Sequence, residues 1–251
     1  MKCLDLTFAS PADNLACDEV LLNRAEAGGG EILRFWEPHD YFVVVGYANK
    51  VTTEVNVEAC SKKKVPVFRR CSGGGTVLQG PGCLNYTLIL RISSHSSLAN
   101  ISCTNRFIME RNREAIELEI RNQNAEAGIS VCGHTDLAID SRLSSLDNLR
   151  KFSGNSQRRH RNIVMFHGTF LLTFDVALVD ELLHMPSRQP DYRQQRGHSA
   201  FLTNLNLSIS QVKAAMQSAW KATAPAEEPS LEEICDLARK KYATREWNYK
   251  L

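Results

Sequence analysis

Apolar positions Cys17, Val20, Leu21 and Ala25 share one helical face within residues 11–26, and Gly28-Gly29-Gly30 stops the pattern. This predicts a first helix packed on a sheet. Residues 32–36 and 41–45 are short apolar runs separated by Glu37-Pro38-His39-Asp40, which predicts two strands joined as a hairpin. Residues 54–63 read as a short amphipathic helix. Its basic end, Lys62-Lys63-Lys64, lies where the helix dipole favours cations and reads as a solvated helix terminus. A strand over 65–70 then delivers a glycine-rich turn, and a strand over 84–91 leaves it.

Further on, residues 93–97 read as a polar linker. Ile101, Phe107, Ile108 and Ile116 predict a helix over 100–116, followed by a loop over 121–128. The apolar Leu137-Ala138-Ile139 precedes a hairpin turn expected over 140–148. A long strand is predicted over 162–174 and a helix over 176–183; residues 185–198, rich in proline and arginine, read as irregular. Helices over 210–220 and 231–242 close the chain. Strands and helices are mixed without regular alternation, so the predicted class is α+β, with a mixed, mostly antiparallel sheet flanked by helices. No internal repeat is visible, and one domain over 1–251 is expected.

Composition narrows the function classes. The chain has 251 residues, 43% hydrophobic and 23% charged, enough for a substantial core. A formal charge of +2 argues against nucleic acid as partner. No run approaches the ~20 apolar residues of a membrane span, and the N-terminus lacks the apolar core of a secretion signal, so a cytoplasmic protein is expected. The eight cysteines are scattered without a C-x-x-C pair, which reads as reduced, mostly buried thiols.

The stretch that organises the chemistry is Arg69-Arg70-Cys71-Ser72-Gly73-Gly74-Gly75-Thr76-Val77, continued by Gln79-Gly80-Pro81-Gly82-Cys83. Three glycines between apolar runs let backbone approach a ligand, and exposed N–H groups beside Arg70 would suit a carboxylate or phosphate. On residue chemistry alone, a glycine-rich turn with a solvated arginine pair fits as well. RRCSGGGTV resembles the RRxSGGGxV signature of the lipoate-protein ligase and octanoyltransferase family, within the biotin and lipoate ligase group. QGPGCL is similar to the HGPGQL segment of the octanoyltransferases, as is the closing KYATREWNY to their C-terminus. The SGGG pattern points to lipoate rather than biotin.

The resemblance implies a biotin/lipoate ligase-like fold, with an acyl-adenylate and lipoyl-binding core over about 14–183 and a C-terminal helical segment over 199–251. It also implies roles. Lys151, in R-K-F-S-G-N, matches the K-x-S-G-[SN]-A lysine that contacts the acyl carboxyl and phosphate; Ser153 and Gly154 belong to the same motif. A fixed ammonium at developing charge is what attack on a carboxylate needs. Asp136, in G-H-T-D-L, matches the aspartate of G-R-N-D-L near the nucleotide, with His134 and Thr135 in place of the arginine and asparagine; it is the expected Mg²⁺ ligand. By residue chemistry it reads equally as a turn-forming aspartate. His167-Gly168 matches an HGT lining the lipoyl pocket, and otherwise reads as a satisfied core histidine. Substrate and nucleotide contacts are expected at Arg70, Ser72, Gly73, Gly74, Gly75, Thr76, Val77, Gly82 and Cys83.

The run Arg158-Arg159-His160-Arg161 faces phosphates or an acidic carrier domain in one reading and solvent in the other. Cys132, and after it Cys83, are the candidate nucleophiles should the chemistry pass through a thioester, a route that needs an activated thiolate; an incidental buried thiol is the other account. The function implied is an ATP-dependent lipoate-protein ligase, activating lipoate or octanoate with Mg²⁺-ATP and passing it to a lysine of a lipoyl carrier protein, with a separate accessory protein as a further partner. The alternative is octanoyl transfer from acyl carrier protein without ATP, using Lys151 with or without a Cys132 thioester. A third class, a silent carrier-binding module, is disfavoured by the Lys151 motif.

Overall fold

The computed structural model describes residues 1–92, 97–122, 128–140 and 149–251. Residues 93–96 of the expected linker, 123–127 of the expected loop and the turn expected across 141–148 lie outside the described residues. The expected fold class is borne out. An eight-stranded sheet runs in the order β11-β1-β2-β6-β10-β9-β8-β7, and a three-stranded sheet in the order β4-β3-β5. The large sheet comprises β1 (Lys2–Asp5), β2 (Ile32–Trp36), β6 (Cys83–Arg91), β7 (Gly128–Cys132), β8 (Asp136–Asp140), β9 (Arg150–Arg159), β10 (Ile163–Leu171) and β11 (Ala224–Pro225). In this sheet every pair from β2 across to β7 is antiparallel, and β1 pairs in parallel with β2 and β11.

Period-two alternation divides the core across this sheet. Leu33 and Phe35 of β2, with Leu84, Tyr86 and Leu88 of β6, face the helices α4 (Ile101–Arg121) and α7 (Ile209–Ala219). On the other face, α1 (Pro11–Glu26) packs Leu15, Val20 and Leu22 with Trp36, Ile89 and Met165. Arg34 also points to this face. It is fully buried and bonds Asp18 at 2.5 Å, the Asn14 side chain at 2.8 Å and the Leu6 carbonyl at 3.0 Å.

The predicted hairpin over 32–45 does not form. β2 pairs with β1 and β6, whereas β3 (Phe42–Val45) is the centre of the small sheet, between β4 (Val67–Arg69) and β5 (Val77–Gln79). Proximity in sequence suggested the pairing, but Phe42–Val45 is buried throughout its length and needs a layer on each side. The helix expected over 54–63 is two: α2 (Val51–Glu54) and α3 (Val57–Lys62), broken where Asn56 caps α3 by accepting from the Ala59 amide at 3.1 Å. The strand leaving the glycine turn is β5, too short to stand out in the sequence, and β6 follows one element later. Short helices α5 (Ala177–Leu182) and α6 (His198–Phe201) bracket an irregular segment with one 3₁₀ turn, Asp191–Arg193. α8 (Leu231–Leu237) continues as a π-helical turn, Ala238–Tyr242, and α9 (Arg245–Asn248) ends the folded chain. Among the described residues no helix is long and apolar enough to cross a membrane.

Candidate active site

A cavity of about 890 Å³ opens between the large sheet, the small sheet and the irregular segment 184–202. Its floor is set by register. Trp36, Asn85, Thr169, Gly154 and Asp136 stand opposite one another across β2, β6, β10, β9 and β8, and all five line the cavity. At ~4.8 Å between strands, that row runs from helix α1 to the β7–β8 end of the sheet.

A bulge places the lysine. Asp136 pairs with Gly154 and Leu137 with Ser153, but Ala138 then pairs with Lys151, so Phe152 is the extra residue on β9. Were β9 straight, with Phe152 paired to Ala138, Lys151 would stand three regular positions from Gly154 and point to the opposite face. With the bulge, the Lys151 ammonium lies 2.7 Å from Asp136 Oδ1, above Gly154, where a Cβ would come within 2.7 Å of Nζ. Gly154 therefore makes room for the ammonium. The Lys151 backbone is fixed from the other side, its carbonyl accepting from the Thr203 amide at 2.9 Å.

The glycine turn closes the facing wall. Gly73, Gly74 and Gly75 are exposed, and their amides make no hydrogen bond among the described residues. Gly74 adopts φ +83°, and a Cβ on Gly46 would lie 2.1 Å from the Gly74 carbonyl, so the turn packs directly on the end of β3. Ser156 on β9 donates to the Gly73 carbonyl at 2.9 Å, tying the turn to the lysine strand.

Arg70 departs from both sequence readings. It is buried, not solvated, and its guanidinium grips the turn's own carbonyls, Gly73 at 2.7 Å and Gly75 at 2.6 Å, instead of facing an anion. Burial pushes its pKa down to about 10. The anion-binding capacity left to the turn is that of its free amides. Arg69 is buried as well. Its guanidinium donates to five carbonyls: Gly46 (2.8 Å), Tyr47 (3.2 Å) and Asn49 (2.8 Å) in the loop behind the turn, and Trp247 (3.1 Å) and Asn248 (3.1 Å) in α9. Asn49 in turn donates to the Gly74 carbonyl at 3.2 Å.

Ser72 is buried and meets His167 Nε2 at 2.6 Å; His167 lines the cavity and its Nδ1 lies 3.7 Å from Asp18. Burial works to raise the Asp18 pKa, but Arg34 and His167 outweigh it, and the carboxyl is held below its ordinary range. Gly168 serves packing: a Cβ there would strike the Asn155 amide, which bridges the Tyr86 hydroxyl (2.5 Å) and the Thr135 carbonyl (2.8 Å).

Thus Lys151, Asp136, Ser153 and Gly154 gather with Gly74, Gly75, Thr76 and Val77 around one cavity, as do Arg70, His167 and Gly168. Gly73, Ser72, Gly82 and Cys83 do not line it. Gly82, at φ +88°, is required where a Cβ would meet the Thr173 backbone at 2.4 Å. Cys83 is buried in the small-sheet core and pushed up to about 12 by burial. The basic run is spent on the fold: Arg158 donates to the Cys71 carbonyl at 2.7 Å, Arg159 to the Leu98 carbonyl at 2.7 Å, and His160 meets Glu26 at 2.6 Å.

Cys132 is buried against Ala138, Leu149 and Tyr192 and is not among the residues that line the cavity. Burial, with Asp136 nearby, pushes its thiol up to about 11. Among the described residues its thiol makes no hydrogen bond to a base, and none of the eight cysteines lines the cavity. Iodoacetamide at pH 8 is therefore expected to alkylate the exposed Cys103 and Cys235 well before Cys132, read by peptide mass spectrometry; first labelling at Cys132 would contradict this environment.

Both Asp136 oxygens are engaged, Oδ1 by Lys151 and Oδ2 by the Tyr192 hydroxyl at 2.9 Å. Among the described residues no group of three His, Cys, Asp or Glu could hold a metal ion. The expected Mg²⁺ ligation by Asp136 does not fit this arrangement. Residues that sequence reasoning missed are Asp18, Ser156 and Tyr192. Asp18 was visible only as a polar position on the buried face of α1.

Residues 10–221 match the lipoyl protein ligase A/B catalytic domain. The chain belongs to that family. The resemblance expected from the SGGG and lysine motifs is therefore borne out, and the chain is an enzyme of the lipoate ligase and octanoyltransferase group. It is 27% identical to the octanoyltransferase LipM of Bacillus subtilis over 99% of this chain and 98% of that protein. It is 25% identical to lipoate-protein ligase A subunit 1 of Thermoplasma acidophilum, over 94% and 90%. A solved bipartite lipoate protein ligase from Thermoplasma acidophilum, described with its E2 lipoyl domain, shares the fold at TM-score 0.79 and 23% identity, over 99% of this chain and 95% of that one. Both activities of the lipoyl ligase A/B family are thus represented among its relatives.

Proposed function

We propose that this protein is an ATP-dependent lipoate-protein ligase acting on lipoate or octanoate. The observation that carries the reading is the Lys151 ammonium facing free glycine amides across a cavity that no thiol lines. The acid's carboxylate oxygen attacks the α-phosphorus of ATP and the bond to pyrophosphate breaks. The ε-amine of a carrier lysine then attacks the carbonyl of the mixed anhydride, and AMP leaves. Lys151 and the Gly74 and Gly75 amides stabilise charge on the carboxyl and phosphate oxygens in both steps. Buried polar atoms on the wall, Trp36 Nε1, Thr76 Oγ1 and Thr87 Oγ1, have no hydrogen-bond partner among the described residues. Groups of this kind favour a ligand or ordered water beside them.

The acceptor is a lipoyl carrier domain, in line with the E2 lipoyl domain described for the Thermoplasma acidophilum ligase. The two-subunit composition of that ligase supports a separate accessory protein as well. The second reading, octanoyl transfer from acyl carrier protein without ATP, is favoured by the end-to-end similarity to LipM. In that case the acyl group passes directly to the carrier, since the Cys132 thiol is buried, held protonated and outside the cavity lining. Incubation with lipoate and ATP separates the two. Pyrophosphate release with a lipoyl-AMP mass is expected; carrier acylation from octanoyl-acyl carrier protein alone, with no pyrophosphate from lipoate and ATP, would overturn the ligase reading. Cys132→Ala is expected to keep activity within about twofold in either assay, because a thiol held near pKa 11 is protonated at neutral pH.

A further inference from the structure

We propose that Tyr192 is a positioning residue that frees the Lys151 ammonium for the substrate carboxylate by holding the competing carboxylate of Asp136. The inference rests on the reading of Lys151 as the head-group lysine. Three observations carry it. Asp136 is bound at both ends, by Lys151 at 2.7 Å and by the Tyr192 hydroxyl at 2.9 Å. The phenol can only donate to it, because burial and the neighbouring carboxylate push its pKa far above the ordinary value. The ring is locked: it packs on Phe201 at 5.1 Å, and the backbone carbonyl of Tyr192 accepts from Arg196, which also bonds the Leu149 carbonyl.

The physical consequence is a competition. Lys151 arrives at the cavity already paired, so an incoming acid must take its ammonium from Asp136. A carboxylate that accepts a second, charge-assisted hydrogen bond gives up part of its hold on the first partner. The Tyr192 hydroxyl also keeps Asp136 in place once the ammonium turns to the substrate, so a buried charge is not left unpaired. Tyr192 sits on the irregular segment 184–202, so this contact joins that segment to the β7–β8 hairpin at the head-group end of the cavity.

The test is a titration of the purified protein with lipoate, without ATP, by isothermal calorimetry, combined with steady-state kinetics. Tyr192→Phe keeps the ring and is expected to weaken lipoate binding about tenfold, the size of one hydrogen bond to a charged group, and to raise the KM for lipoate with kcat changed much less. In an Asp136→Asn background the same substitution is expected to have no further effect, since nothing then competes for the ammonium. Unchanged binding in Tyr192→Phe or an equal loss in the Asp136→Asn background would each overturn the proposal. Lipoate binding that is indifferent to Lys151→Ala would instead overturn the head-group assignment, and this inference with it.

Discussion

Replacing Lys151 by alanine is expected to lower the rate of carrier acylation by about two to three orders of magnitude, the cost of removing one fixed donor from a developing oxyanion. The ammonium faces the cavity above Gly154, whose wall also carries the Gly74 and Gly75 amides. Arg70 also lines the cavity, but its guanidinium is held by the Gly73 and Gly75 carbonyls. Single-turnover formation of acyl-AMP and transfer to carrier should both fall, because charge develops at the same carboxyl in each step. Thermal stability should change little: the side chain is partly exposed and its partner Asp136 keeps the Tyr192 bond. A Lys151→Ala protein with near-normal turnover would remove the lysine from the chemistry.

The second large effect is on stability. Arg69→Met is expected to destabilise the protein by roughly 4 kcal/mol or more, since buried carbonyls left without a donor cost about 1–3 kcal/mol each. Arg69 satisfies carbonyls of Gly46, Tyr47 and Asn49 on one side and of Trp247 and Asn248 on the other, and no carboxylate pairs with it among the described residues. Methionine fills similar space but donates to none of them. For a chain of this size that loss corresponds to a fall in Tm of about 10 °C, measurable by scanning calorimetry. The loop behind the glycine turn should loosen with it, because Tyr47 donates its amide to the Ser72 carbonyl at 2.9 Å. A variant as stable as the parent would show that those carbonyls find other partners.

Much of this was legible in the sequence, for identifiable reasons. The first helix was predicted with the bounds observed, because its apolar face and its glycine stop are both local signals. The α+β class followed from the mixture of periods. The lysine and glycine motifs announced that Lys151 and Gly74 belong together, and both line one cavity. What was not legible depends on partners distant in sequence. The apolar run at Phe42–Val45 carries no mark of which sheet it joins. Arg70 reads as an anion ligand until the fold turns it onto the carbonyls of its own loop. Tyr192 lies in a stretch without periodicity, and its role exists only because β8 brings Asp136 beneath it. The strands β1, β5 and β11 are too short to show a period of their own.

The bulge at Phe152 makes the stretch from Lys151 to Gly154 a spacer whose length matters more than its letters. Exchanging Phe152 for another apolar residue keeps the count, whereas one residue more between Lys151 and Gly154 must either widen the bulge or swing the ammonium through the sheet to the helix-covered side. Anyone grafting this segment into a related scaffold, or trimming it, should preserve the interval before the side chains. A single-residue insertion here should be far more damaging than a substitution.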